Sequence, residues 1–135
     1  MKKTKEIEVT KGQLLEIHNA LRSIYNSQET GEGYSYYVSL SIARNIRATK
    51  DIARDVQDDI LAIKKSSAKR DDSGSICYEN GTPIVGDHDK FSQGMKAVLS
   101  QKVSVNLNLI KYTDIAKIAS PNPNLIEPLL DIFIF

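Results

Sequence analysis

The fold of this chain is decided by residues 42–63, which read IARNIRATKDIARDVQDDILAI. Apolar or small side chains recur along this stretch at alternating steps of four and three residues: Ile42, Ile46, Thr49, Ala53, Val56, Ile60 and Ile63. A period of about 3.5 residues keeps one side of a helix facing a second helix, as in a coiled coil. Because no Gly or Pro interrupts the stretch, it predicts one long helix. We call these seven side chains the seam.

The helix that carries the seam is predicted to be too long for the rest of the chain to cover. It extends over about residues 35–69, which corresponds to a length of about 50 Å. The preceding helix, at about residues 11–29, is about 27 Å long and reaches only half of that length. The sequence also closes on four apolar residues, Ile132–Phe135. We therefore expect a homo-oligomer, in which a second copy covers the remaining seam and this apolar segment.

The first helix begins with two local signals. Thr10 and Gln13 have the spacing of a capping box, in which each residue bonds the backbone of the other. Val9 and Leu14 are placed to form a hydrophobic staple across the same turn. His18 falls on the apolar side of this helix, and we interpret it as a hydrogen-bonded core or boundary histidine rather than a catalytic one.

A small antiparallel sheet is predicted from two patterns. Asn80-Gly81 lies between strands at about residues 75–78 and 82–85, and this pair favours a type I′ turn, where both central residues have positive φ. Residues 103–109 alternate apolar with polar side chains, which indicates a strand with one buried face. We expect the hairpin to be its partner. A shorter alternation over residues 6–10 suits a short strand or an extended lead-in.

Two short helices complete the predicted architecture. The first spans about residues 89–101, is capped by Asp87 or Asp89, and is weakened by Gly94. The second spans about residues 124–133, with its first residue as the N-cap. The predicted fold class is therefore α+β and mainly α, with a long antiparallel helical hairpin attached to a small antiparallel sheet and short helices.

Composition sets the broad class of protein. The length of 135 residues suits one domain, residues 1–135. A net charge of +1 argues against a dominant surface for polyanions. Because Cys77 is the only cysteine, an internal disulfide and a multi-cysteine metal site are excluded. Residues 1–6 are mostly charged and lead into no apolar segment, so we expect no secretory signal, and no apolar stretch is long enough to cross a membrane.

The sequence contains weak candidates for catalysis or cofactor binding. Adjacent residues of the loop Asp87-His88-Asp89 seldom converge on one ion, and helix capping explains the aspartates. Cys77 has no activating partner near it in sequence, which is typical of a buried structural thiol. Gly31-Glu32-Gly33 lacks the Gly-Lys-Ser/Thr ending of a phosphate-binding loop. We therefore expect a protein that is not an enzyme and that binds no cofactor and no metal.

The outer side of the long helix is the candidate interaction surface. Its tyrosines and cations are Tyr34, Tyr36, Tyr37, Arg44, Arg47, Arg54, Lys64 and Lys65. The simplest interpretation is a solvated, ion-paired face, because Asp51 and Asp58 lie four residues after Arg47 and Arg54. The alternatives are a surface for a protein partner or for nucleic acid. Nucleic acid is disfavoured, since aromatic residues do not interleave with the arginines.

The order of elements resembles that of small uncharacterised proteins encoded by tailed bacteriophages and prophages. The resemblance is carried by residues 42–47 (IARNIR), residues 79–85 (ENGTPIV) and residues 91–109, and it spans about residues 36–130. It implies a phage or prophage origin, and hence a bacterial cytoplasm. It identifies no functional residues.

These observations predict a non-enzymatic, phage-encoded protein that binds a protein of the host or the phage, for example by inhibiting a host complex that defends against phage. One alternative is a structural or assembly protein of the virion, built from copies joined through the seam, which would place the protein in the virion. The other is a nucleic-acid-binding protein that uses the basic side of the long helix. None of the three involves a membrane.

Overall fold

A computed structural model of the chain describes residues 4–27, 36–116 and 123–134. The strands are β1 (Thr4–Thr10), β2 (Tyr78–Glu79), β3 (Thr82–Pro83), β4 (Lys102–Asn108), β5 (Ile110–Lys111) and β6 (Phe133–Ile134). The helices are α1 (Lys11–Ser27), α2 (Tyr36–Ser66), α3 (His88–Leu99), α4 (Tyr112–Ala116) and α5 (Pro123–Ile126), followed by a 3₁₀ helix at Glu127–Ile132. The predicted α+β, mainly helical fold is confirmed.

Helix α1 begins where its capping residues predict. The backbone N–H of Thr10 donates to Oε1 of Gln13 at 2.9 Å, and the N–H of Gln13 donates to Oγ1 of Thr10 at 3.1 Å. This reciprocal pair is the predicted capping box. Val9 and Leu14, the predicted staple residues, are both buried. The predicted helix end at residues 28–29 lies outside the described residues.

Helix α2 ends three residues before the predicted boundary, because the chain turns to meet the hairpin. The hydroxyl groups of Ser66 and Ser67 donate to the carbonyl of Ile63 at 3.1 and 2.7 Å. The N–H of Lys69, which would continue the helix, donates instead to the carbonyl of Ile84 at 2.7 Å. Side-chain bonds to the last carbonyls and a competing backbone partner therefore terminate the helix.

The seam is covered within the chain, which corrects the basis of the homo-oligomer prediction. Ile42, Thr49, Ala53 and Val56 are 0–2% exposed, and α1, β4 and α3 all pack on α2. Helix α3 reaches the part that α1 leaves open, so the assumption that only a second copy could cover it is wrong. The remaining seam residues are half-buried: Ile46, Ile60 and Ile63.

Close contact between α3 and α2 explains the glycine in α3. A Cβ atom at Gly94 would lie 2.9 Å from Cγ2 of Ile63, which is closer than two carbon atoms can pack. Gly94 therefore permits the approach that buries the end of the seam, at the expense of helix propensity. The predicted N-cap of this helix is confirmed at Asp87, whose carboxylate accepts from the N–H of Lys90 at 3.0 Å.

Strand β4 pairs with β1 rather than with the hairpin, which corrects the predicted sheet. The antiparallel register runs from Thr4 opposite Asn108 to Thr10 opposite Lys102. The apolar side chains of the two strands share one buried face: Ile7, Val9, Val105 and Leu107. Seven residue pairs and a common apolar face stabilise this ribbon better than pairing with the short hairpin strands would.

The Asn-Gly hairpin forms as predicted but is shorter. Asn80 and Gly81 have φ angles of 51° and 79°, as a type I′ turn requires. Its strands have two residues each, shorter than the predicted 75–78 and 82–85. Beyond these strands, two isolated bridges join the hairpin to the segment that follows α2. They pair Ala68 with Val85 and Arg70 with Ile76.

Most of the described C-terminal segment is docked on the core, so it does not support the homo-oligomer prediction. Leu129, Ile132 and Phe133 are buried, and β6 pairs with β5 in parallel. The rings of Phe133 and Tyr112 meet edge to face at 5.5 Å. The predicted helix over 124–133 is instead α5 followed by the 3₁₀ helix, and because α5 begins at Pro123, its N-cap is not Asn124.

None of the helices in residues 4–27, 36–116 and 123–134 has both the length and the apolar character of a membrane span.

Candidate functional site: the outer side of α2 and its groove with α1

A buried histidine fixes the register between α1 and α2. His18 is 6% exposed, and its Nδ1 lies 2.8 Å from Oγ1 of Thr49. The Thr49 hydroxyl donates to the carbonyl of Asn45 at 2.9 Å. Because its proton is used there, we assign to His18 the tautomer in which Nδ1–H donates to the Thr49 oxygen and Nε2 carries the lone pair. The prediction of a hydrogen-bonded core histidine is confirmed.

The surroundings of the His18 ring favour its neutral form. Burial lowers the pKa of the imidazole, because desolvation disfavours the charged form, and the neighbouring Arg22 guanidinium lowers it further. In the described residues no buried side-chain nitrogen or oxygen lacks a partner. Nδ1 makes the ring's hydrogen bond, so Nε2, which has no partner among the described residues, is not fully buried, and His18 lines a groove.

That groove runs between α1 and α2 and has a volume of about 350 Å³. Its walls are His18, Arg22, Tyr25 and Asn26 of α1, and Ala43, Ile46 and Lys50 of α2. Each wall therefore supplies one cation. Neither Arg22 nor Lys50 forms an ion pair with any residue that the structure describes. We call this cavity the α1/α2 groove.

Two lines of side chains extend along the outer side of α2. Tyr36, Arg47, Arg54 and Lys65 follow at steps of 11, 7 and 11 residues, so each lies within about 20° of the previous one around the helix. Tyr37 and Arg44, seven residues apart, form a second line beside the first. All six side chains are exposed. The structure thus brings most of the predicted surface residues together.

One of the predicted surface residues does not join this surface, and another cannot be placed. Lys64 is half-buried and lies toward the seam side of α2. Tyr34 lies outside the described residues. The remaining tyrosines and arginines of the N-terminal half, Tyr36, Tyr37, Arg44 and Arg47, form what we call the Tyr/Arg surface.

The ion pairing of α2 differs from the predicted pattern. Arg54 pairs with Asp51 at 3.4 Å, at a spacing of three residues, instead of with Asp58. Arg47, predicted to pair with Asp51, forms no ion pair with a described residue, and neither does Arg44. The C-terminal half of the basic line is therefore partly neutralised, whereas the Tyr/Arg surface keeps its positive charge.

The other chemical candidates occupy separate places. Asp87 is used as the cap of α3, His88 is exposed, and Cys77 is half-buried. No group of three His, Cys, Asp or Glu residues in the described segments is placed to hold a metal ion. A second, larger groove of about 570 Å³ lies between α1 and the C-terminal segment and carries the carboxylates of Glu16, Glu127 and Asp131.

The residues of the α1/α2 groove were missed by sequence reasoning. Arg22 follows His18 by one helical turn and Lys50 follows Thr49 directly. These pairs become neighbours only because His18 bonds Thr49 across the two helices. The signal in the sequence was a polar residue on the apolar side of each helix, His18 on α1 and Thr49 on α2. Pairing these two residues would have predicted how the helices align.

No protein family, curated protein or solved structure matches this chain, so the choice of function rests on the geometry and chemistry of its described residues.

Proposed function

We propose that the protein acts without catalysis, by binding a protein partner through the Tyr/Arg surface. The observation that carries the proposal is the exposure of two adjacent aromatic side chains on a rigid helix: Tyr36 is 82% exposed and Tyr37 is 57% exposed. Tyrosine and arginine are among the residues most enriched at the centres of protein interfaces, because they combine large apolar area with hydrogen-bonding groups. Arg44 lies about two helical turns beyond Tyr37, and Arg47 lies about three turns beyond Tyr36.

The charge of the surface defines the kind of partner. Arg44 and Arg47 are unpaired within the described residues, so an acidic patch on the partner would complement them. The resemblance to phage proteins suggests a protein in the cytoplasm of a bacterial host, including a complex that defends against phage. Helix α2 holds the four side chains in fixed relative positions, which lowers the entropy lost on binding.

Nucleic acid fits the same surface less well. Beyond residue 50, the basic line is flanked by Asp51, Asp55 and Asp58, and Arg54 is already paired. A phosphate backbone needs a continuous run of unpaired cations, whereas these carboxylates would repel it. A virion assembly role through the seam is supported less well, because four of its seven residues are already buried and α1, β4 and α3 pack on α2.

The test is affinity capture from a bacterial lysate, followed by reconstitution with the purified partner. We expect the wild-type chain to capture a partner that the variant Tyr36→Ala/Arg47→Glu does not. Tyr78→Ala is the matched control, because Tyr78 is 55% exposed but lies on the hairpin. With the purified partner, the double variant should bind at least about tenfold more weakly than the control.

Two results would overturn the proposal. One is capture of the same proteins, with the same affinity, by the double variant and the control. The other is tight binding of an oligonucleotide that weakens steeply with salt and is abolished by charge reversal at Arg44, Arg47 and Arg54, which would establish the nucleic-acid alternative.

A further inference from the structure

The α1/α2 groove has chemical features that a protein-binding role for the Tyr/Arg surface does not use. Arg22 and Lys50 face the groove from opposite walls, and both are exposed. In the described part of the chain neither cation has a carboxylate partner. Two unpaired cations at one cavity favour a ligand with more than one negative charge.

The third polar group of the groove is a hydrogen-bond acceptor. His18 lines the groove, and with Nδ1–H donated to Thr49 its Nε2 is the ring nitrogen left to accept a hydrogen bond. Burial of the ring and the neighbouring Arg22 both lower the pKa of the imidazole, which favours its neutral form. A neutral Nε2 needs a donor from its ligand. A sugar hydroxyl group supplies one, whereas the dianion of a simple alkyl phosphate such as methyl phosphate does not.

The size and the remaining walls of the groove fit a small molecule. A volume of about 350 Å³ is at the lower end of the range for small-molecule sites. Ala43 and Ile46 give apolar contact, Asn26 offers an amide, and Tyr25 is 39% exposed. The charged or titratable side chains that line the groove are His18, Arg22, Tyr25 and Lys50, and no carboxylate is among its lining residues.

We propose that the α1/α2 groove binds a small phosphate ester that carries a free hydroxyl group, such as a sugar phosphate or a nucleotide. Arg22 and Lys50 hold the phosphate from the two walls, and Nε2 of His18 accepts from the hydroxyl. The proposal does not rest on the function of the Tyr/Arg surface, because the two sets of residues are different.

A small ligand agrees with the surroundings better than a polynucleotide does. The groove offers only two cations, and the outer side of α2 continues into Asp51 and Asp58. A strand of nucleic acid would place further phosphates against these carboxylates, whereas a single phosphate ester would occupy the groove alone.

The experiment is titration of the full chain at low salt and pH 7.5 with ribose 5-phosphate, AMP, methyl phosphate and ribose, measured by calorimetry and by amide chemical shifts. We expect ribose 5-phosphate and AMP to bind more tightly than methyl phosphate or ribose, and the shifts to centre on His18 and Thr49. Arg22→Gln and Lys50→Gln should each weaken ester binding about tenfold or more. Lys111→Gln is the matched control, since Lys111 is exposed on β5, and it should bind as the wild type does.

A further variant tests the acceptor. His18→Phe, which removes the acceptor, should bring the affinity for ribose 5-phosphate and AMP close to that for methyl phosphate, while methyl phosphate binds as before. Because Arg22 and Lys50 are exposed, their variants are expected to stay folded, and circular dichroism verifies this. The proposal is overturned if the two groove variants bind the esters like Lys111→Gln, or if an oligothymidine binds far more tightly than AMP with a steep salt dependence.

Discussion

The side chain of Asn45 on α2 bonds both backbone groups of Asn108 at the end of β4. Its Oδ1 accepts from the N–H of Asn108 at 2.6 Å, and its Nδ2 donates to the carbonyl of Asn108 at 3.0 Å. The amide thus takes the place of a neighbouring strand at this edge. Asn45 is 1% exposed, and its two part-buried hydrogen bonds anchor the long helix to the sheet.

Removing this anchor should destabilise the fold. We expect Asn45→Ala to lower the free energy of unfolding by about 2–3 kcal/mol, because it leaves a part-buried N–H and C=O without partners. Urea denaturation followed by circular dichroism measures the change. Asn106→Ala, at an exposed position of the same strand, should alter stability by no more than about 0.5 kcal/mol. Equal effects of the two variants would contradict the anchoring role.

A methyl group at Gly94 should also destabilise the fold, although alanine is the better helix former. The new Cβ would lie 2.9 Å from Cγ2 of Ile63, a branched side chain with little freedom to move away. We expect Gly94→Ala to lower stability by about 1–2 kcal/mol. Ile63→Ala removes the atom that the new methyl group would meet. It should therefore lower the free energy of unfolding less in the Gly94→Ala variant than in the wild type. Simple additivity of the two changes would show that α3 and α2 are not in contact here.

The stability of the protein should depend on the protonation of His18. Its folded-state pKa lies below the ordinary value of 6.5, first because of burial and second because of Arg22. Well above pH 6.5, the His18 ring is neutral in both the folded and the unfolded protein. As the pH falls below 6.5, the unfolded chain takes up the proton first, so stability decreases until the folded-state pKa is passed.

Denaturation at several pH values between 7.5 and 5 tests this dependence. His18→Gln should lose less stability on acidification than the wild type. Asn19→Gln, an exposed change on the same helix, is the control and should keep the wild-type pH profile. Parallel profiles for His18→Gln and the wild type would contradict the lowered pKa.

The capping box of Thr10 and Gln13 should contribute about 1 kcal/mol to the free energy of unfolding. Thr10→Ala removes the acceptor of the Gln13 N–H bond, and Gln13→Ala removes the acceptor of the Thr10 N–H bond. We expect the double variant to be more stable than the sum of the two single effects predicts, because the bonds are reciprocal. Thr4→Ala, exposed at the other end of β1, should have little effect.

A charge in the last part of the seam distinguishes cover by α3 from cover by a second copy. We expect Ile63→Asp to lower the free energy of unfolding by about 2 kcal/mol, because Ile63 packs on α3 of the same chain. The oligomeric state should stay that of the wild type. Ala62→Asp, on the exposed side, is the control. Light scattering that shows dissociation of a still stable Ile63→Asp variant would restore the seam as an interface between copies.

Local signals were sufficient wherever the determining residues are neighbours in sequence. The capping box of Thr10 and Gln13 and the turn at Asn80-Gly81 depend on a few adjacent residues, and both form as predicted. The period of the seam likewise identified α2. Such features are set by backbone geometry over one or two turns, so the sequence alone determines them.

Partner choice between distant segments was beyond sequence reasoning. Alternation identifies β4 as a strand, but it does not select β1 over the hairpin. Gly94 was interpreted as a weak point of α3, whereas its role depends on the helix that passes beside it. The α1/α2 groove depends on the His18–Thr49 register, and the buried Asn45 depends on the position of Asn108. Each of these needs the tertiary arrangement.

The pairing of β1 with β4 has a consequence for the way the chain folds. The partners are about 100 residues apart, so closing this contact requires a large loss of chain entropy before it adds stability. During synthesis β1 leaves the ribosome before β4 does, and it stays unpaired until β4 has also emerged. While β1 is unpaired, its charged side chains oppose association with other chains: Lys5, Glu6 and Glu8. We therefore expect β1 to be among the last elements to become protected from hydrogen exchange during refolding.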